Sequence, residues 1–103
     1  MQFENVTALA EANIYFEGKV VSHTIITASG DKKTLGVILP GSFHFGTAAA
    51  ERMDVTAGSC LVTLDGESET RGYEKGSYFE IPANSGFSIE VAERCDYVCS
   101  YLA

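Results

Sequence analysis

From residue 14 onward apolar and polar side chains alternate with period two in short runs, and the breaks between runs fall at Gly, Pro, Asn, Asp and Ser. Residues 14–21 predict a first strand with Gly18 as a bulge, and 23–27 continue it or begin the next. Residues 34–39 predict a short apolar strand closed by Pro40-Gly41. Two alternating runs, 41–47 and 51–58, flank the small-residue turn Ala48-Ala49-Ala50. Further strands are expected at 59–64, 70–73, 77–82, 87–91 and 96–102, with Asp65-Gly66 as a hairpin signal. About nine short strands with almost no helical periodicity predict an all-β fold, a barrel or sandwich, and closure into a barrel would remove the exposed edges.

Residues 1–13 break the pattern. Ala8, Leu9, Ala10 and Ala12 with Glu4 and Glu11 suit a short helix, too short to persist alone, so this segment reads as an appendage, short helix or disordered. Residues 14–103 then form the single domain that 103 residues can build around one core.

Composition narrows the function. Seven Lys and Arg against fourteen Asp and Glu give a net charge of -7, which repels a phosphodiester backbone, so polymeric nucleic acid is not expected as a partner. A small ligand with one phosphate needs only a few local donors and stays compatible. No apolar run approaches the roughly 20 residues that cross a bilayer, and no basic-then-apolar leader opens the chain, so no membrane partner and a cytoplasmic location are expected. Cys60, Cys95 and Cys99 cannot all pair. Cys95 and Cys99 would lie about 13 Å apart on one strand face, so three reduced, buried thiols are expected.

The spacing of His44, Glu51 and Gly58 resembles the first motif of the cupin barrels, with Gly46 where a second histidine stands. Gly76 and Pro82 resemble the start of the second motif, but Asn84 replaces its glycine and Phe87 its histidine. The resemblance implies a cupin-type jelly-roll barrel. Two remaining ligands do not make a catalytic metal set, so no metal and no cofactor are expected. In that register Ser42, His44 and Gly46 point inward together with Glu51, Met53, Val55, Phe87, Ile89 and Val91. Phe43 and Phe45 then face outward as an apolar patch, and a homodimer contact is expected there. A register one residue away would instead put Phe43 and Phe45 in the core and expose His44.

Several pieces in order, Tyr15-Phe16-Glu17-Gly18-Lys19-Val20, Leu35-Gly36-Val37, Phe43-His44-Phe45-Gly46-Thr47, Glu51-Arg52-Met53, the run from Gly76 to Ala83 and the ending Tyr97-Val98-Cys99-Ser100-Tyr101-Leu102, resemble the small bacterial pyrimidine/purine nucleoside phosphorylases of cupin type. The chain departs from that family at Ser42 and Arg52, both at positions where an acidic residue is expected. The resemblance implies a metal-free dimeric barrel that splits nucleosides with inorganic phosphate into free base and ribose 1-phosphate.

Such a reaction needs donors for phosphate, a carboxylate near an oxocarbenium-like ribose and an apolar wall for the base. Lys19, with Arg52 and Arg71 as alternatives, is the candidate phosphate-binding set. Glu51 and His44 are the catalytic candidates, Glu51 toward the ribose and His44 toward the phosphate or the departing base. Tyr78, Phe87 and Tyr101, with lumen-facing Met53, are candidates for holding the nucleoside. A cupin that binds a sugar-like ligand without chemistry, and a metal cupin recruiting His23, are the competing readings.

Overall fold

A computed structural model describes residues 1–102. The strands are β1 (Thr7–Tyr15), β2 (Val20–Ile26), β3 (Lys32–Ile38), β4 (Gly41–Gly46), β5 (Glu51–Leu64), β6 (Thr70–Glu74), β7 (Tyr78–Ile81), β8 (Gly86–Val91) and β9 (Cys95–Tyr101), with one 3-10 turn at Phe16–Gly18. All pairings are antiparallel. One face of the barrel runs β1-β2-β3-β9-β5-β7, and the other runs β4-β8-β5-β6.

The two faces are joined by β5, whose 14 residues pair first with β9 through Gly58 and then with β8 from Leu61. The change of partner is made at a bulge between Val55 and Ala57 and at Gly58, which sits at φ 74°, a left-handed conformation that glycine adopts without a Cβ penalty. Between the faces, inward residues of β2 to β9 meet in one core that includes Val20, Ile38, Met53, Ile81 and Ile89, to which β1 contributes no buried side chain.

The structure departs from the sequence pattern at four places. Residues 7–13 are strand, not helix or appendage. Thr7, Ala8, Ala12 and Asn13 pair with β2, and Asn13 Nδ2 donates to Ser22 Oγ at 3.3 Å and to Thr24 Oγ1 at 3.2 Å. A sheet edge that completes the ladder outweighs the modest helix preference of alanine and glutamate. The expected first strand at 14–21 is broken by three consecutive positive φ values, Phe16 at 51°, Glu17 at 58° and Gly18 at 92°, so Gly18 closes a turn between β1 and β2 instead of forming a bulge. The expected strands 51–58 and 59–64 are one, which restores the count to nine.

The fourth departure is register. Phe43 pairs with Ile89 and Phe45 with Phe87, so both phenyl rings share the inner face of those buried residues, and Phe43 is 8% exposed. Their rings contact Phe16 at centroid distances of 4.9 and 5.4 Å, and Phe45 stacks on Phe87 at 5.5 Å. The outward patch and the dimer contact expected at Phe43 and Phe45 are therefore overturned: they are core, and a shift of one residue turns His44 to the opposite face.

Candidate active site

Between the two faces lies a cavity of about 220 Å³. Its apolar floor is Ile38, Phe45, Met53 and Phe87. Its polar wall is carried by the inner rows of three strands: Ser22 on β2, Thr34 on β3, and Tyr97, Cys99 and Tyr101 on β9. Glu51, at the start of β5 and paired with Tyr101, supplies the carboxylate. Tyr15 and Tyr101, 49% and 39% exposed, stand where the cavity meets solvent.

The close fit of this wall depends on Gly36. A Cβ there would sit 2.5 Å from Cζ and 2.6 Å from the hydroxyl oxygen of Tyr97, so only a bare backbone lets the Tyr97 ring lie across β3.

The electrostatics are simple. Burial pushes the Glu51 carboxyl above the ordinary carboxylate range, and a hydrogen bond from the Cys99 thiol to Oε1 at 3.4 Å pulls it partly back. Burial, then the charge of Glu51, pushes Cys99 up to about 12. Burial also raises Tyr97, and it pushes Tyr101 up to about 12. Near neutral pH the thiol and both phenols are therefore uncharged, and Glu51 is the ionisable carboxylate in a chamber of neutral donors and acceptors.

Of the residues singled out from the sequence, Glu51, Met53, Phe87 and Tyr101 are brought together in this cavity. His44 is not. Its Nε2 lies 3.0 and 2.9 Å from the two carboxylate oxygens of Asp65, its side chain is 55% exposed, and the expected inward orientation fails with the register of β4. Gly86 makes room for that pair, since a Cβ there would sit 2.6 Å from Asp65 Oδ2.

Arg52 alternates with Glu51 and so faces away from the cavity, bonded to Asp54 at 3.2 Å and lying 3.8 Å over the Tyr78 ring, which places Tyr78 outside as well. Arg71 pairs with Glu69 at 2.5 Å on an exposed part of β6, and Lys19 is exposed after the 3-10 turn. His23 lines a groove of about 520 Å³ on the outer side of β2, β3 and β9, so it cannot supplement Glu51.

Sequence reasoning missed Tyr15, Ser22, Thr34, Ile38, Phe45, Tyr97 and Cys99 as lining. Alternation along β9 carried the signal for two of them, because Cys95, Tyr97, Cys99 and Tyr101 share one face.

The residues present do not fit the metal that many cupin-type barrels hold. Phe87 is part of the floor, His44 is turned outward, and Cys99 beside Glu51 adds one soft donor that burial keeps protonated. Among the described residues, no group of three or more His, Cys, Asp or Glu is placed to share an ion.

A nine-stranded antiparallel barrel around a lined chamber, with a bend in β5 that shares one strand between two faces, defines a cupin-type fold. The EutQ protein of Clostridium difficile (16% identity, TM-score 0.67, covering 80% of this chain and 67% of that one) shares this fold. So does a Bacillus subtilis oxalate decarboxylase (14%, TM-score 0.75, covering 98% of this chain and 30% of that one). Within that class, residues 10–101 match the family model described as pyrimidine/purine nucleoside phosphorylase, and the chain belongs to that family. A Burkholderia ambifaria protein of that name is 56% identical over 101 residues, covering 98% of this chain and 95% of its own. One from Herminiimonas arsenicoxydans is 50% identical, covering 98% and 97%. A crystal structure of a protein of unknown function from Acinetobacter sp. ADP1 superposes with a TM-score of 0.96 at 42% identity, covering 98% of both chains. Among the described residues, no helix is long and apolar enough to cross a membrane.

Proposed function

We propose that the protein is a broad-specificity, metal-independent nucleoside phosphorylase of the cytoplasm. It cleaves purine and pyrimidine nucleosides with inorganic phosphate to free base and ribose 1-phosphate. Family membership gives the reaction class, and the observation that carries its placement is Glu51, an isolated carboxylate in a chamber of neutral hydroxyls.

In phosphorolysis an oxygen of hydrogen phosphate forms a bond to C1′ as the C1′–N bond breaks, that electron pair leaves with the base, and the base takes up the proton that the phosphate gives up. Positive charge builds on the ribose between these events. A carboxylate whose charge is poorly solvated in the free protein has most to gain from that cation, so stabilisation is concentrated in the transition state. Glu51 also accepts hydrogen bonds from ribose hydroxyls, with Ser22 and Thr34 completing the contacts. The apolar floor of Met53, Phe45 and Phe87 lies under the sugar.

At about 220 Å³ the cavity is smaller than the roughly 300 Å³ that encloses most small ligands, so it takes the ribosyl end and leaves the base at the mouth. There Tyr15 and Tyr101 offer aromatic faces, and stacking distinguishes bases weakly. Broad specificity follows, because the part that differs between purine and pyrimidine nucleosides lies outside the enclosed volume.

The test is incubation with uridine and adenosine, with and without phosphate, in the presence and absence of EDTA. Release of base that requires phosphate and survives EDTA supports the reading. No turnover of any nucleoside would favour a barrel that binds without chemistry, and loss in EDTA would overturn metal independence.

A further inference from the structure

The phosphorylase reading leaves open how a protein of net charge -7 holds phosphate beside a carboxylate. We propose that Lys32, at the mouth of the cavity, is the cation that binds phosphate. This rests on the phosphorylase reading and adds a residue to it.

Alternation along β3 puts Lys32 on the same face as Thr34 and Ile38, both of which line the cavity. Lys32 is therefore the next lumen-facing position toward solvent. Its ammonium lies 5.0 Å from the centroid of the Tyr101 ring, and Tyr101 is both a wall of the cavity and the strand partner of Glu51. The ring holds the charge at the mouth without neutralising it.

The other six cations are placed elsewhere. Arg52, Arg71 and Arg94 are paired with Asp54, Glu69 and Asp96. Lys33 belongs to the opposite face of β3, where Nζ donates to Ser100 Oγ at 2.7 Å. Lys19 follows the 3-10 turn between β1 and β2, and Lys75 stands in the β6–β7 turn, neither of them lining the cavity.

The neighbouring acid is also accounted for. In the β2–β3 turn, Asp31 Oδ2 accepts from Ser29 Oγ at 2.9 Å, and the Asp31 N–H donates to Thr27 Oγ1 at 3.1 Å. Asp31 is thus folded into its own turn. Lys32 makes no ion pair among the described residues, which leaves its three donors for an anion. A phosphate held there stays at the rim, away from the buried carboxylate, while the ribose lies deeper in the chamber.

The test is steady-state kinetics on Lys32→Gln and Lys32→Arg with phosphate and nucleoside varied separately. Loss of a charged hydrogen bond predicts a rise of roughly 10- to 100-fold in the KM for phosphate in K32Q, with the nucleoside KM within about twofold, and K32R recovering most of the loss. Phosphate should raise the thermal midpoint of the native protein and not that of K32Q. An active wild type whose K32Q variant keeps its phosphate KM overturns Lys32 and leaves the phosphorylase reading standing. A wild type that turns over no nucleoside overturns both.

Discussion

Cys99 donates its thiol hydrogen to Glu51 Oε1 across 3.4 Å, from the inner row of β9 to the start of β5. The contact has two consequences. It gives the carboxylate one donor in a site where burial disfavours its charge, and it fixes which oxygen stays available to a ligand. It also keeps the thiol protonated beside a negative group, so Cys99 positions the carboxylate and is not itself a nucleophile.

Replacing Glu51 by Gln removes the charge that faces the ribose and keeps the shape. The expected outcome is a loss of about 10²-fold or more in kcat with a smaller change in nucleoside KM, because the interaction strengthens only as cation character develops. The pH profile follows from the raised Glu51 value. Activity should fall on the acid side at a pH above the ordinary carboxylate range. For stability the sign is opposite to that of a paired carboxylate. The folded state holds this proton more tightly than the unfolded chain, so the stabilisation is present below the ordinary value of 4.5 and is lost as pH rises through the raised one. E51Q should therefore have a thermal midpoint at pH 7 no lower than wild type, and a large drop would mean that Glu51 is chiefly structural.

The three thiols should be inert in the folded protein. Cys60, Cys95 and Cys99 are all buried, and burial pushes the Cys99 thiol up to about 12; the hydrogen bond from Cys60 lowers Cys95, but at 1% exposure Cys95 is closed to reagent. Iodoacetamide at pH 8 should label none of them in native protein over times that label all three after denaturation, as read by intact mass. Rapid native labelling of Cys99 with loss of activity would instead assign it a reactive role.

The register of β4 can be checked by two neighbouring substitutions. Phe43→Ala empties an inner-face position packed by Phe16 and is expected to cost about 3–5 kcal/mol in urea unfolding. His44→Ala removes only an exposed pair with Asp65 and is expected to cost about 0–1 kcal/mol, with kcat unchanged. A catalytic His44 would reverse the second result.

These same residues mark how far the sequence was legible. Period-two alternation and turn residues revealed an all-β barrel or sandwich, because strands packed on a core are apolar on one face and the breaks need Gly, Asp or Asn, and the motif resemblance pointed to the barrel. Glu51, Met53 and Phe87 fell into the cavity since their alternation is tied to β5 and β8, where the motif spacing and the structure agree. His44 failed because register between β4 and β8 is set by the pairing of Phe43 with Ile89 and Phe45 with Phe87, a contact between segments more than 40 positions apart. Residues 7–13 failed for a related reason: an edge strand takes its conformation from its neighbour, and its own three alanines and Glu11 do not announce it. The rim lysine was hidden as one of seven basic residues until the topology placed β3 beside β9.

Gly36 links packing to the chamber most directly. It lies on β3 opposite Tyr97 of β9, in ordinary strand conformation, so its requirement is space and not backbone freedom. In Gly36→Ala the new methyl would occupy the position now held by the Tyr97 ring, at 2.5 Å from Cζ, and the buried ring must swing toward the cavity it lines. Overpacking of this kind is expected to cost about 1–3 kcal/mol, and the displaced ring should raise the nucleoside KM more than it lowers kcat. Tyr97→Leu alone empties part of the wall and should also destabilise. If the steric account is right, the double variant G36A/Y97L is more stable than the sum of the two single losses predicts, because each change relieves the other. Strict additivity in urea unfolding would show that Gly36 acts through something other than the Tyr97 ring.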